Sequence, residues 1–304
     1  MILIAAPKGD ATHHGTPARK FASSGRLDQF VLALLIALFS LPAMAETLGM
    51  PPWPVTAMMH ETLAQRIPPP AGFVRTAATQ KSFAAWLRAL PMKPPASPVL
   101  LFDGAKKSRQ DVHTAIIDID VEKRDLQQCA DAVMRLRAEW LWSIGAKDRI
   151  AFNYTGGGRV PFSRFATGAR PSEDGKRWKK SGKPDQSYAG FRRYMTNVFV
   201  YAGTYSLARE LVPVSGGVAP QIGDVIIKGG FPGHAVLVID MAEDRQTGKK
   251  RFLLAQSYMP AQEIHIIKNP RAADGSAWYD APINWPLQTP EWTFNEGSLK
   301  RWPE

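Results

Sequence analysis

Cysteine is almost absent: Cys129 is the single one in 304 residues. A lone cysteine forms no internal disulfide, so a disulfide-stapled scaffold is excluded. Long apolar runs are missing too. The most apolar segment, Phe30–Leu41 (FVLALLIALFSL), is shorter than the roughly 20 residues a membrane-spanning helix needs. No HExxH and no paired His/Cys spacing marks a metal centre, so no metal or cofactor is expected. The glycines at 156–158 lack the Gly-Lys-Ser/Thr that would complete a phosphate loop. Asp118 and Asp120 share a strand face, where they either hold a cation or cap a sheet edge. No internal repeat is visible.

What is present reads first as an export signal. Arg19, Lys20 and Arg26 precede the apolar run, and Ala43-Met44-Ala45 follows it as a small-x-small cleavage pattern. Residues 1–45 are therefore expected to be a signal peptide and 46–72 a Pro-rich arm. A single α+β domain is expected over 73–304. The mature chain then has no stable membrane span and is exported, to the periplasm or beyond. The formal charge of the whole chain is +11. Such a surplus favours an anionic partner such as a cell-envelope polymer or peptide. Its densest patch, Lys176–Lys180, is too small to argue for nucleic acid. A 45% apolar fraction and nine tryptophans suit a sizeable core or a cleft lined by flat rings.

Periodicity places the elements. A short amphipathic helix is expected over 80–90, stopping before Pro91, with strands over 99–102 and 113–121. Asp125 reads as the N-cap of a long helix from Leu126 to about Ser143. Residues 150–154 read as a strand and 156–187 as mostly loop. Helix returns over 188–211, with a break at Gly203. Strands over 224–228, 235–240, 251–256 and 263–267 follow with short connections, and an aromatic tail over 278–303 wraps the surface. The fold class is α+β, with helices packed on a largely antiparallel sheet.

A nucleophile needs a neighbouring base and a third group that orients the base. His234 opens a strand after Pro232-Gly233 and is the best-placed base; His60, His113 and His265 lack such flanking. Cys129 lies in the first turns of a helix, where backbone N–H groups lower a thiol pKa and stabilise an oxyanion. Gln127 and Gln128 just before it are potential side-chain donors. The same cysteine also fits a core position, since Leu126, Cys129, Val133, Leu136 and Trp140 are three and four residues apart. Ser206 is an alternative nucleophile, or a helix cap. Gln256, on the strand after His234, either orients that ring or makes a structural hydrogen bond. Tyr201, Tyr258 and Gln262 are candidates to line the same cleft.

DLQQCADAVMRLRAEW (125–140), YAGTYSL (201–207), GDVIIKGGFPGHAVLVIDMA (223–242), LLAQSYMPAQEIHI (253–266) and TPEW (289–292) resemble the bacterial family catalogued as domain of unknown function 4846. Gly223-Asp224 and Gly233-His234 also resemble the frame of papain-like hydrolases of the NlpC/P60 type. In those a cysteine opens a helix and a histidine begins a later strand. That resemblance implies a papain-like fold and cleavage of an amide bond, often in peptidoglycan. Cys129 would be the nucleophile, His234 the base, Gln256 the orienting group and Gln128 an oxyanion donor. Cys129 departs from the hydrolase pattern by lacking the Asp-Cys-Ser or Asp-Cys-Gly context and by its long separation from His234.

Overall fold

The computed structural model describes residues 51–56 and 61–303. The expected signal peptide and His60 lie outside the described residues. Among those described, no helix is long and apolar enough to cross a membrane.

The four strands expected from alternation form the centre of the sheet. They are β8 (Val225–Lys228), β9 (His234–Glu243), β10 (Lys250–Gln256) and β11 (His265–Ile267), each antiparallel to the next. β2 (His113–Ile116) extends the sheet beyond β11. On the other side β15 (Leu299–Arg301) pairs with β8, and β7 (Val212–Pro213) pairs with β15. Two short strands, β1 (Val74–Arg75) and β12 (Tyr279–Ala281), add to β9 and β10.

Alternation along β9 sorts two cores. Ala235, Leu237 and Ile239 face the helices, whereas Val236 and Val238 face a smaller core with Phe252, Leu254 and Phe294. The first face is covered by α2 (Phe83–Arg88) and α3 (Cys129–Ser143), and α5 (Tyr188–Tyr201) packs in turn on α3. The second is covered by the hairpin of β13 (Leu287–Gln288) and β14 (Thr293–Phe294). The architecture is thus mixed α+β, with antiparallel sheets and packed helices.

Several local expectations are corrected. α3 begins at Cys129 rather than Leu126, and its N-cap is Gln128, whose N–H donates to Asp131 at 3.1 Å. Asp125 instead accepts the Ala261 N–H at 2.7 Å, pinning the β10–β11 connection. The supposed loop over 156–187 contains β4 (Arg159–Pro161), α4 (Phe162–Ala166) and a hairpin of β5 (Ala169–Pro171) with β6 (Trp178–Lys180). β4 pairs with β3 (Ala151–Asn153). The expected strand at 99–102 is reduced to isolated bridges at Leu100 and Leu101. The tail does more than wrap the surface, because β15 is sewn between β8 and β7.

The Pro-rich segment is docked on the core. It contains α1 (Leu63–Arg66), closed by a Thr62/Gln65 capping box. Trp53 is 5% exposed and donates its indole N–H to the Asp118 carbonyl at 2.9 Å. The Asp118 carboxylate accepts the Thr56 N–H at 2.7 Å.

Two ion-pair groups tie the layers. Asp240 on β9 accepts from Arg75 at 2.7 Å and Arg88 at 2.6 Å. Under α3, Arg135 donates to Glu139 at 2.6 Å with both side chains fully buried. Arg192 of α5 reaches Asp120 at 2.8 Å and Glu122 at 2.5 Å, and Tyr188 donates to Glu139 at 2.7 Å. Asp120 therefore neutralises arginines, and among the described residues no acidic or His/Cys group is arranged to hold a metal.

Candidate active site

One end of the sheet gathers the start of β9, the end of β10, the start of β11 and the N-terminus of α3. The chain enters β9 through Gly233, where a Cβ would collide with the Thr204 hydroxyl and meet the Gly230 carbonyl oxygen at 2.5 Å. Only glycine fits this turn. It fixes the backbone one residue before His234. Thr204 belongs to α6 (Thr204–Glu210).

His234 is 1% exposed and Gln256 is 1% exposed. Their side chains meet at 2.9 Å, His234 Nε2 to Gln256 Oε1. An amide oxygen only accepts, so the proton sits on Nε2 and Nδ1 carries the lone pair. The rest of the chain of contacts agrees. Gln256 Nε2 donates to Glu291 at 2.7 Å and lies 3.2 Å from His265 Nε2. His265 Nδ1 donates to the Glu263 carbonyl at 2.8 Å, leaving its Nε2 free to accept. Glu291 is in turn paired with Lys107 at 2.5 Å. Turning the Gln256 amide over would set its oxygen against a carboxylate and an unprotonated ring nitrogen, so one orientation satisfies every partner.

Burial, partly offset by the Gln256 bond, pushes the His234 imidazole down to about 4. Burial likewise takes His265 down to about 3. Both rings are neutral at pH 7. His234 is enclosed by aromatic rings, with centroids of Tyr258 at 4.8 Å, Trp292 at 5.4 Å and Phe294 at 5.8 Å.

Cys129 is the first residue of α3 and is partly exposed. Burial first, and the Asp131 carboxyl second, push its thiol up to about 11 against backbone hydrogen bonds at Ala235, Ala130 and Cys129 itself. The helix N-terminus is therefore outweighed, contrary to the expectation of a depressed thiol pKa. A hydrogen bond that lowers a thiol pKa comes from a donor, so the sulfur lies against the Ala235 N–H. It is thus one residue from His234 along β9. Among the described residues no hydrogen bond joins the sulfur to the imidazole. Tyr258 is their common neighbour: it contacts the His234 ring, and its phenol is raised by burial, then by Glu291 and Cys129.

The remaining sequence candidates divide. Gln128 donates its side-chain amide to Asp125 at 3.0 Å, so that amide is engaged away from any oxyanion. Gln127 is buried with its Nε2 unpartnered. Ser206 is buried and its hydroxyl caps α6, lying 3.1 Å from both the N–H and the carbonyl of Gly203. Tyr201 stacks on Tyr154 at 5.2 Å, in a separate neighbourhood. Gln262 is buried in the β10–β11 connection, where its carbonyl accepts from Ser257 at 2.7 Å.

Glu291, Lys107 and His265 escape a reading of the sequence. TPEW was visible as a motif, but nothing local indicates that its glutamate reaches Gln256. His265 shows only ordinary strand alternation.

Comparison with curated proteins and with solved structures gives no match. A family model described as domain of unknown function (4846) matches residues 63–301, and the chain accordingly belongs to that family.

Proposed function

We propose that the protein is an exported, papain-like thiol hydrolase that cuts an amide bond in a cell-envelope peptide. The observation that carries this reading is the Gln256–His234 pair, which leaves Nδ1 as the basic nitrogen beside a helix that starts at Cys129. In the reaction the thiol gives its proton to His234 Nδ1 while the sulfur attacks the carbonyl carbon. The imidazolium then protonates the departing amine, leaving a thioester. Water, deprotonated by the same nitrogen, releases the carboxylate and restores the thiol. No cofactor enters these steps.

A neutral thiol beside a neutral ring makes this a general-base mechanism rather than a resting ion pair. Substrate must draw Sγ and Nδ1 together, since they share no hydrogen bond in this state. The raised thiol favours a second reading, in which the same end of the fold binds an envelope polymer without cutting it. Tyr258 and Trp292 would then be its flat contact surfaces.

Peptidoglycan fragments incubated with the protein and examined by mass spectrometry separate the two. Hydrolysis predicts new amine and carboxylate ends that vanish in Cys129→Ala. His234→Ala should lower the rate about 100-fold or more. Identical products from the wild type and both variants would overturn the hydrolase reading. Alkylation of Cys129 by iodoacetamide gives an independent check on the thiol. Its rate should rise with pH towards a midpoint near about 11 rather than the unshifted 9.0.

A further inference from the structure

Away from the Cys129–His234 end, a cavity of about 250 Å³ is lined by Arg137, Arg149, Arg159, Phe152, Glu210 and Trp302, among others. Arg137 lies eight residues along α3 from Cys129, about 12 Å at the helical rise. The two sites share no side chain.

The charges of this cavity do not balance. Among the described residues Arg137 and Arg149 have no carboxylate partner. Arg159 has one, Glu210, at 3.5 Å. Glu210 is itself engaged, accepting the Asn153 N–H at 2.9 Å. Three guanidinium groups thus face a single carboxylate. This contrasts with Arg75, Arg88, Arg135, Arg192 and Arg301, each of which is paired with an acid. Arg137 is held instead among rings, 4.4 Å from the Trp140 centroid and 5.5 Å from that of Trp302. Burial, then the charge of Arg149, push its guanidinium down to about 10. The Trp302 indole N–H is buried with no acceptor.

A concave site with surplus cations calls for an oxyanion. Guanidinium forks match the oxygens of a tetrahedral phosphoryl group in pairs. Its two charges would neutralise the surplus, which a single carboxylate would not. We infer that this cavity binds a phosphoryl group, with Arg137, Arg149 and Arg159 as its cationic ligands and Trp302 as a lining ring that reports on it. The inference is independent of the proposed hydrolysis.

The test is an NMR titration of the Trp302 indole N–H with inorganic phosphate at low ionic strength, the signal being assigned by its loss in Trp302→Phe. Phosphate should shift the signal, and acetate at equal ionic strength should not. Arg149 and Arg159 are solvent-exposed, so Arg149→Gln and Arg159→Gln leave the fold intact, which an unchanged Tm verifies. Each should weaken phosphate binding about tenfold, as expected for losing one charge-assisted contact. Cys129→Ala should bind as the wild type does. Glycerol phosphate binding more tightly than phosphate would identify an ester as the ligand, and equal binding the free anion. No shift with either phosphate, an equal response to acetate, or full binding by the Arg149→Gln/Arg159→Gln double variant would overturn the assignment.

Discussion

Two buried polar networks in this molecule are built on opposite principles. Under α3, the acids Glu139, Asp120 and Glu122 pair with the guanidinium groups of Arg135 and Arg192. On the hairpin-covered side of the sheet, His234, Gln256 and His265 form a chain of neutral groups that ends on one ion pair, Glu291–Lys107. Charges hold helices together but carry no direction. Neutral rings and an amide impose an order of donors and acceptors, and hence a tautomer. The first network is an adhesive, and the second sets which nitrogen of His234 is basic.

Removing a member should therefore have unequal effects. Arg135→Ala leaves the buried Glu139 with only the more distant Arg192, at 3.8 Å, and the Tyr188 hydroxyl, and should cost about 3 kcal/mol in urea denaturation. A loss below about 1 kcal/mol, the range of exposed pairs, would show that the cluster is not adhesive. Gln256→Met should cost less, about 1–3 kcal/mol for an unpaired buried donor, because the His234 ring can move its proton to Nδ1. Its sharper signature is a change of tautomer in the ring ¹⁵N shifts. An unchanged Nε2–H tautomer would break the contrast between the networks.

A third difference between the networks is read in a titration. The rings of His234 and His265 should stay neutral down to about pH 5, whereas an exposed histidine titrates near about 6.5. Their linkage has a definite sign. The unfolded rings take protons near 6.5 and the folded ones near about 4 and 3, so the unfolded state binds more protons in between. Stability from keeping these rings neutral is complete above 6.5 and is lost as pH falls towards those values, on the order of 3 kcal/mol for His234. Burial raises the Asp131 carboxyl, which works in the opposite sense as its unfolded form ionises first. His265→Asn should accordingly flatten the loss of stability on the acid side. An unchanged acid limb would show that His265 is protonated in the folded protein.

Legibility followed the range of the interaction. Alternation was enough to find β8 to β11, and Gly203 to find the break between α5 and α6. Gly233 announced a close approach, although not that Thr204 would be the neighbour. The start of α3 was misplaced because Asp125 has the chemistry of a cap but reaches across to Ala261 instead. Three-residue elements such as β4, β5 and β6 are too short to show a period. Gln256 was legible as a partner for His234 because adjacent strands place their side chains together. Glu291 and Lys107 were not, since each is 35 or more residues from its contact in the chain. The raised thiol was missed for a related reason: a helix start is local, whereas burial of Cys129 is made by the whole fold.

The position of β15 has a consequence for the order of assembly. Strand β8 has β9 as a neighbour soon after synthesis, but its other edge pairs with residues 299–301. A growing chain therefore presents β8 as an open edge while most of the molecule is already complete. Such an edge is a template for pairing with another chain. The late strand acts as a fastener: until it arrives, the nascent molecule is most exposed to aggregation at Val225–Lys228, and trimming it would make that exposure permanent.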